Sequence, residues 1–385
     1  MRARALVPAG LALTLLLAAL STGSPVLLMP AALLLLGLFS GGISVLTASR
    51  TLRISGELDA SSVQRGEEAR LDLRISHRGL LPIAPILLEI SFGPEGPARE
   101  VRLRDRPGRL QTLVLPFRAE HVGVWKPGVR TWRVEDLLGF FSASGRAEEA
   151  LPPLLVLPRT FPTEPLRLSP GDPGSELLSR ATEDLSAPSD IRAWQPGDPL
   201  KKVHWKLSLR KRELLVRKFD EPILQEVLLL MDCSRPPSWG RPEAEADVRD
   251  ALLETAASVF ADQQGTDLKV HFPLFGTHPV ELEKGMPLAM ALENLARTDF
   301  SETDRFERVL ALESRRLRKV GCLVVISARL NSAMVDLMTR MRGLGPAMRL
   351  YLVTFTPDDP RLLPLISRLQ QQDIEVSYVR PEVRK

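Results

Sequence analysis

The sequence contains little cysteine and few aromatic side chains. Its 385 residues include two Cys and two Tyr, and aromatic residues make up 5% of the chain. Two cysteines exclude a disulfide framework and a four-cysteine zinc site. Lys and Arg outnumber Asp and Glu by 51 to 47, and the resulting net charge of +4 does not by itself indicate nucleic-acid binding. A hydrophobic fraction of 44% excludes a disordered chain.

Charged side chains are absent from the first part of the chain, between Arg4 and Arg50. One membrane-spanning helix needs about 20 apolar residues, and a polar turn signal at Ser21–Pro25 divides this segment in two. The pattern predicts a transmembrane hairpin with spans of roughly Ala5–Leu20 and Val26–Ala48. Arginines flank the hairpin on both sides, so the positive-inside rule predicts a multi-pass protein of the cell (inner) membrane with its soluble part in the cytoplasm.

A cleaved signal peptide is the alternative interpretation of the first span. A basic start, an apolar centre and small residues near Ser21–Gly23 are all typical of such peptides. Cleavage would leave Val26–Ala48 as a single span, with the rest of the chain still in the cytoplasm.

Short runs with period-two alternation follow the apolar segment and predict β-strands. Gly- or Pro-bearing turns separate them, which favours an antiparallel, immunoglobulin-like β-sandwich over residues 50–160. His77 and His121 have no other ligand type nearby, so we expect surface or turn residues. The runs are Ala69–Ser76, Pro85–Phe92, Arg99–Arg104, Leu110–Phe117 and Gly128–Val134.

Basic residues are concentrated in a central motif. Residues 161–223 begin as a linker rich in Pro, Gly and Ser, and Lys201–Lys218 then contains eight Lys or Arg and one acid, Glu213. Such a segment can be a solvated face with its Trp residues packed underneath, or a surface for a protein partner. It can also bind anionic lipid or nucleic acid, although the modest net charge of the chain disfavours nucleic acid.

The same motif holds the residues that we single out for an interaction or structural role. The turn at Pro196-Gly197 can present the Asp198 carboxylate to His204 or Arg210 through a charge-assisted hydrogen bond. This predicts a clasp between the two soluble domains. Its members are Asp198, His204, Trp205, Lys206, Arg210 and Arg217.

A hydrolase is the catalytic alternative for this motif, with Asp198, His204 and Ser208 as a triad. Triads are recognised by geometry, and spacing alone does not indicate one. No G-x-S-x-G nucleophile elbow accompanies these residues. We therefore assign no catalytic residue and expect a protein that is not an enzyme.

The last part of the chain, residues 224–385, alternates strand and helix patterns. Val227–Asp232 and Cys322–Ser327 are continuous apolar runs, as in buried parallel strands, so the pattern predicts a doubly wound α/β sheet. Gly240–Asp247 and the helix after it are expected to form a solvated face. The sequence contains neither a phosphate-binding loop nor a dinucleotide fingerprint, so any ATP used in this system would be bound by another protein.

One possible metal site follows the first strand of this region. Asp232 and Ser234 belong to a D-C-S-R-P sequence that resembles the D-x-S-x-S motif of von Willebrand A domains, which holds Mg²⁺ through a carboxylate and hydroxyls. Pro236 replaces the second Ser, and the later Asp of the motif would fall near Ala328. Mg²⁺ requires near-octahedral oxygen ligands. The comparison predicts a degenerate site and no cofactor, with Mg²⁺ as the alternative.

The whole chain resembles the domain of unknown function 58 family. The central run P-G-D-P-x-x-x-V-H-W-K-x-S-x-R, followed by E-L-L-V-R-x-F, is similar to the signature of that family. His121–Ser142 and Leu154–Arg159 resemble its strand pattern, and a membrane hairpin and a von Willebrand A-like C-terminal half complete the resemblance. Members are thought to act beside MoxR-type AAA+ ATPases, and no reaction is established for them.

The resemblance implies a membrane-anchored, non-enzymatic adaptor or assembly factor with an AAA+ protein partner. The predicted organisation is a hairpin over residues 1–49, the sandwich over 50–160, the linker and basic motif over 161–223, and the von Willebrand A-like domain over 224–385. The sequence predicts neither the client nor the oligomeric state.

Overall fold

The chain forms two compact units, Met1–Leu157 and Pro158–Lys385. The structure is a computed structural model, and it describes most of both units. The described residues are 2–3, 5–78, 83–94, 96, 98–104, 108–147, 151–166, 190–195, 203–218, 226–237, 242–266, 268–274, 280–283, 285–300 and 306–382.

Two apolar helices begin the first unit, α1 over Leu6–Thr22 and α2 over Pro25–Thr51. Gly23 adopts the left-handed conformation (φ 67°) that ends α1, and Pro25 occupies the first turn of α2, where its missing N–H is not needed. Among the described helices, α2 is long and apolar enough to cross a membrane, and α1 is a shorter apolar helix. The N-terminal apolar character predicted from the sequence is therefore present as helix.

Antiparallel pairing dominates the strands of the first unit. One sheet has the order β1-β10-β9-β5-β6, a second the order β2-β4-β7, and a third the order β3-β11-β8. The strands are β1 (Arg2–Ala3), β2 (Arg53–Leu58), β3 (Ser62–Gln64), β4 (Glu68–Ser76), β5 (Ile86–Ser91), β6 (Arg99–Leu103), β7 (Gln111–Arg118), β8 (Gly123–Trp125), β9 (Gly128–Glu135), β10 (Phe141–Arg146) and β11 (Leu154–Leu157).

Residues from all three sheets form one hydrophobic core. Alternation places Leu71 and Leu73 of β4 and Ile86 and Leu88 of β5 in it, each 0–1% exposed. His77, which we expected to be a surface or turn residue, is 2% exposed, so a surface position is wrong for it. It directly follows β4 and shares the burial of that strand's end.

The C-terminal half of α2 packs on this strand region. A Cβ added to Gly41 would lie 3.0 Å from the Asp136 Oδ2 atom. The Asp136 carboxylate accepts hydrogen bonds from the Phe141 N–H (2.6 Å) and the Leu138 N–H (3.1 Å), which fixes the turn before β10. Glycine is therefore required at position 41 for this close approach.

The second unit alternates strands and helices. Its strands are β12 (Asp190–Ala193), β13 (Leu215–Lys218), β14 (Glu226–Met231), β15 (Lys269–Leu274), β16 (Val280–Glu283), β17 (Val320–Ser327), β18 (Ala347–Val353) and β19 (Ile374–Val379). Its helices are α3 (Trp205–Lys211), α4 (Pro242–Gln264), α5 (Leu288–Ala296), α6 (Phe306–Glu313), a 3₁₀ helix (Ser314–Lys319), α7 (Ser332–Arg342) and α8 (Leu363–Gln371).

A six-stranded sheet with the order β16-β15-β14-β17-β18-β19 is the centre of this unit. All neighbours pair in parallel except β16, which pairs antiparallel with β15. The central strands are buried on both faces, as the apolar runs predicted. A mixed α/β body is thus confirmed.

Helix α4 is buried along most of its length, contrary to the solvated face that we expected around Gly240–Asp247. Ala246 and Val248 are 2% and 0% exposed, and even Asp250 is fully buried. The expectation was based on the many polar residues of the helix. It was wrong because another segment of the chain covers some of these residues, which the local sequence does not show.

Part of that cover is an extended segment, residues 158–166, which we name the strap. The Arg159 N–H bonds to Glu254 Oε1 (3.4 Å), the Phe161 N–H to Ser258 Oγ (2.9 Å) and the Thr163 N–H to Asp262 Oδ2 (2.8 Å). Two residues of extended chain rise about 6.6 Å and four residues of helix about 6.0 Å, so every second strap residue meets every fourth helix residue.

Candidate functional site

The order in which the chain adds strands to the six-stranded sheet reverses between β14 and β17. From β14 the chain crosses through α4 to β15 on one side, and from β17 it crosses through α7 to β18 on the other. Ligands of open α/β sheets bind at such a point, outside the carboxyl ends of the strands. Asp232 follows β14 directly and Ser327 ends β17, so both lie at this edge.

Short polar contacts hold the Asp232 carboxylate there. Its Oδ1 atom accepts hydrogen bonds from the Ser234 N–H (3.0 Å) and from the Ser234 hydroxyl. Its Oδ2 atom accepts one from the Ser327 hydroxyl (2.9 Å). Asp232 is 4% exposed, so these bonds compensate for the cost of burying its carboxylate.

Arginine side chains form the rim of this edge. The Arg329 guanidinium donates to the main-chain carbonyl of Arg235, and the Arg329 N–H donates to Ser327 Oγ (3.0 Å). Arg235 is 78% exposed and forms a two-point ion pair with Glu245, whose hydrogen bond raises the pKa of the guanidinium. The rim therefore carries an exposed ion pair and a second guanidinium bound to a main-chain carbonyl, and the Asp232 carboxylate lies inside it.

The structure brings together Asp232 and Ser234, as predicted, and adds Ser327. Four side-chain oxygens thus lie together, two from the aspartate and one from each of the two serines. Ser327 was not predicted from the sequence, because the motif has an Asp at the position that falls near Ala328. The available signal was a hydroxyl at the end of an apolar strand next to β14. These oxygens are the atoms that could hold Mg²⁺, although each Asp232 oxygen already accepts from the protein.

The basic motif folds as a small hairpin that carries α3. Strands β12 and β13 pair antiparallel, and Val203 forms an isolated bridge with Val216. His204 caps α3 because its Nδ1 atom accepts from the Leu207 N–H (3.3 Å). Ser208 is buried, and its hydroxyl accepts from the Leu215 N–H (2.9 Å). These bonds fix the helix on β13.

Two large apolar side chains of α3 are exposed. Trp205 is 55% exposed and Leu209 is 78% exposed, one helical turn apart. The interpretation in which the Trp residues pack underneath a basic face is therefore wrong for Trp205. Ser208 and the Val203–Val216 bridge, and not the indole, hold the helix on β13.

The predicted clasp stays a prediction. Asp198 lies outside the described residues, and so does its contact with His204 or Arg210. The side chain of Arg217 is likewise outside the described part, although its main chain pairs in β13. His204 and Ser208, the two described members of the hydrolase alternative, are engaged with main-chain groups in contacts that are structural.

A second polar group lies on the β15–β16 pair. Ligand atoms of His271, Glu281 and Glu283 lie within 4.8 Å of one another. His271 faces Glu283 across the strands, and the Arg316 guanidinium already pairs with Glu281 (3.1 Å). These residues have donor atoms that suit a divalent metal, but the group is partly exposed and has a cation beside it. Sequence analysis missed it because the pairing of the two strands creates it.

The geometry defines a mixed α/β protein with an N-terminal apolar helix. Residues 190–378 match the model of the family described as "Protein of unknown function DUF58", and this C-terminal half of the chain belongs to that family. The resemblance stated from the central motif is confirmed at family level. A search of curated proteins finds no match to the chain.

Three solved structures illustrate the remaining similarities. Spo0M, a sporulation control protein from Bacillus subtilis, is 15% identical with a TM-score of 0.15, over 38% of this chain and 58% of that one. The β-glucuronidase of Parabacteroides merdae, with glycerol in its active site, is 10% identical with a TM-score of 0.20, over 85% and 38%. Cwp6 from Clostridium difficile is 11% identical with a TM-score of 0.19, over 84% and 49%. The chain spans less than two thirds of each, and scores this low carry no argument about fold or activity.

Proposed function

We propose that the protein is a membrane-anchored, non-enzymatic adaptor or assembly factor that faces the cytoplasm. In this proposal α1 and α2 form a two-span hairpin, the strands of the first unit form an immunoglobulin-like sandwich, and the second unit is von Willebrand A-like. The partner is a MoxR-type AAA+ ATPase, which the family resemblance suggests and which would supply the nucleotide.

The observation that carries the proposal is the state of the carboxyl edge of the six-stranded sheet. Ligands of open α/β sheets bind at this edge. Here, however, the Asp232 oxygens accept hydrogen bonds from Ser234 and Ser327 of the protein itself. The buried acid is already hydrogen-bonded, and the rim holds the exposed Arg235–Glu245 pair and the exposed Arg329. Such an edge supports contact with charged groups of another protein better than it supports chemistry.

Affinity capture from a detergent extract tests the proposal. The full chain should recover an AAA+ protein in an ATP-dependent manner, and the Arg235→Glu/Arg329→Glu variant should lose it. The matched control is Arg315→Glu/Arg340→Glu, which makes the same charge change at two other exposed positions of this unit. Recovery of no AAA+ protein with or without ATP contradicts the partner. Equal recovery by the two double variants contradicts the role of the rim.

A further inference from the structure

The outward face of α3 has an apolar pair that the fold does not use. Trp205 and Leu209 are largely exposed and one turn apart, while Ser208 and Val203 attach the helix to β13. Two large apolar side chains one turn apart form a contiguous exposed patch. Exposed apolar patches of this kind mark sites of contact with a protein or a membrane.

Cations surround this pair. Lys206, Arg210, Lys211 and Arg212 are all exposed, and Arg212 ends the helix in the left-handed conformation (φ 55°). Within the part of the chain that the structure describes, none of the four forms an ion pair. Among the described residues, their charges are therefore open to an anionic surface, and Glu213 is the acid next to them in the sequence.

We infer that this face of α3 lies on the surface of an anionic bilayer, with Trp205 and Leu209 in the headgroup region and the cations on lipid phosphates. Indole rings favour that region, and basic side chains near it are attracted to anionic lipid. An acidic protein segment has the same charge. The bilayer is favoured because α2 has the length and composition of a membrane-crossing helix, which brings this chain to a lipid surface. The inference concerns a surface separate from the Asp232 edge. It rests on the membrane anchoring in the proposed function and does not depend on the AAA+ partner.

Tryptophan fluorescence of the full chain in vesicles tests the inference. The chain is reconstituted in phosphatidylcholine, or in phosphatidylcholine mixed with phosphatidylglycerol, each with and without bromine on the acyl chains. The Trp205 signal is the emission difference between the wild type and Trp205→Phe. Bromine should quench this signal in the phosphatidylglycerol vesicles only. High salt should restore it, because the attraction is screened.

Charge variants assign the effect to α3. Lys206→Glu/Arg210→Glu/Lys211→Glu should abolish the quenching, since each cation removed weakens the association about fivefold. The control Arg315→Glu/Arg340→Glu/Arg361→Glu changes the charge of the unit by the same amount and should keep it. Circular dichroism establishes that both triple variants are folded.

Three results would overturn the inference. They are equal quenching with and without phosphatidylglycerol, no quenching in either lipid, and equal loss of quenching in the two triple variants. A shift of the Trp205 emission by polyglutamate, with none by phosphatidylglycerol, would assign the surface to an acidic protein instead. The capture of an AAA+ protein through Arg235 and Arg329 is measured separately, so failure of one proposal leaves the other standing.

Discussion

The carboxyl edge of the six-stranded sheet and the outward face of α3 both belong to the family-matched half, and they differ in how their polar groups are used. At the edge, Asp232 is buried and each of its oxygens accepts from a nearby hydroxyl or N–H. On α3, Trp205 and Leu209 are exposed beside cations that form no ion pair among the described residues. The Asp232 carboxylate therefore contributes to the stability of the fold, whereas the exposed side chains of α3 contribute little to it.

Replacing Asp232 with Ala should have the largest effect on stability. The change removes the acceptor of the Ser234 N–H and one of two acceptors of the Ser327 hydroxyl, the other being the Arg329 carbonyl. The free energy of unfolding should therefore fall by about 2–3 kcal/mol. Urea unfolding in detergent micelles measures it. Asp358→Ala, at an exposed position, is the control, and equal midpoints for the two variants would show that the edge is not structural.

Ser208→Ala should cost less, about 1–2 kcal/mol, because one buried hydrogen bond to the Leu215 N–H is lost. The loss should be local to the hairpin. Hydrogen exchange at the Leu215 amide should accelerate, whereas Ser332→Ala at an exposed position should leave it unchanged. Unaltered exchange in Ser208→Ala would mean that α3 is held by other contacts.

Alkaline pH should destabilise the second unit through the interior of its sheet. Burial raises the pKa of the Cys322 thiol from 9.0 to about 12. The folded state therefore keeps a proton that the unfolded chain loses, and its stability falls as pH rises from about 9 towards 12. The loss at pH 10 should be about 1 kcal/mol. Comparing unfolding midpoints at pH 8 and pH 10 measures it, and Cys322→Ala should remove this part of the pH dependence. An identical pH response of that variant would contradict the burial argument.

The smallest effect on stability is expected on the outward face of α3. Trp205→Ala and Leu209→Ala remove side chains that the fold leaves in solvent, so the free energy of unfolding should change by less than about 0.5 kcal/mol each. Thermal unfolding of the full chain measures it. A loss of 2 kcal/mol or more would place these side chains in a packed contact and remove the contrast with Asp232.

The sequence predicted most strands of the second unit because apolar runs are local signals. Val227–Asp232 and Cys322–Ser327 correspond to β14 and β17, which differ from the predictions by one or two residues at their ends. The Asp232–Ser327 contact joins residues 95 positions apart, and no local pattern encodes such a pairing. The exposure of the Trp205 side chain was not predicted either. A helix as short as α3, with polar and apolar residues mixed, has no clear hydrophobic periodicity from which to predict its buried face.

The strap has a mechanical consequence. Its N–H groups bond side by side along α4, at Glu254, Ser258 and Asp262, so tension along residues 158–166 loads all three bonds in shear at once. A pull directed along the strap must break these bonds together, whereas bonds arranged as a zipper would open one after another. Deleting one strap residue would shift the register along α4 and misalign the remaining bonds in a single step.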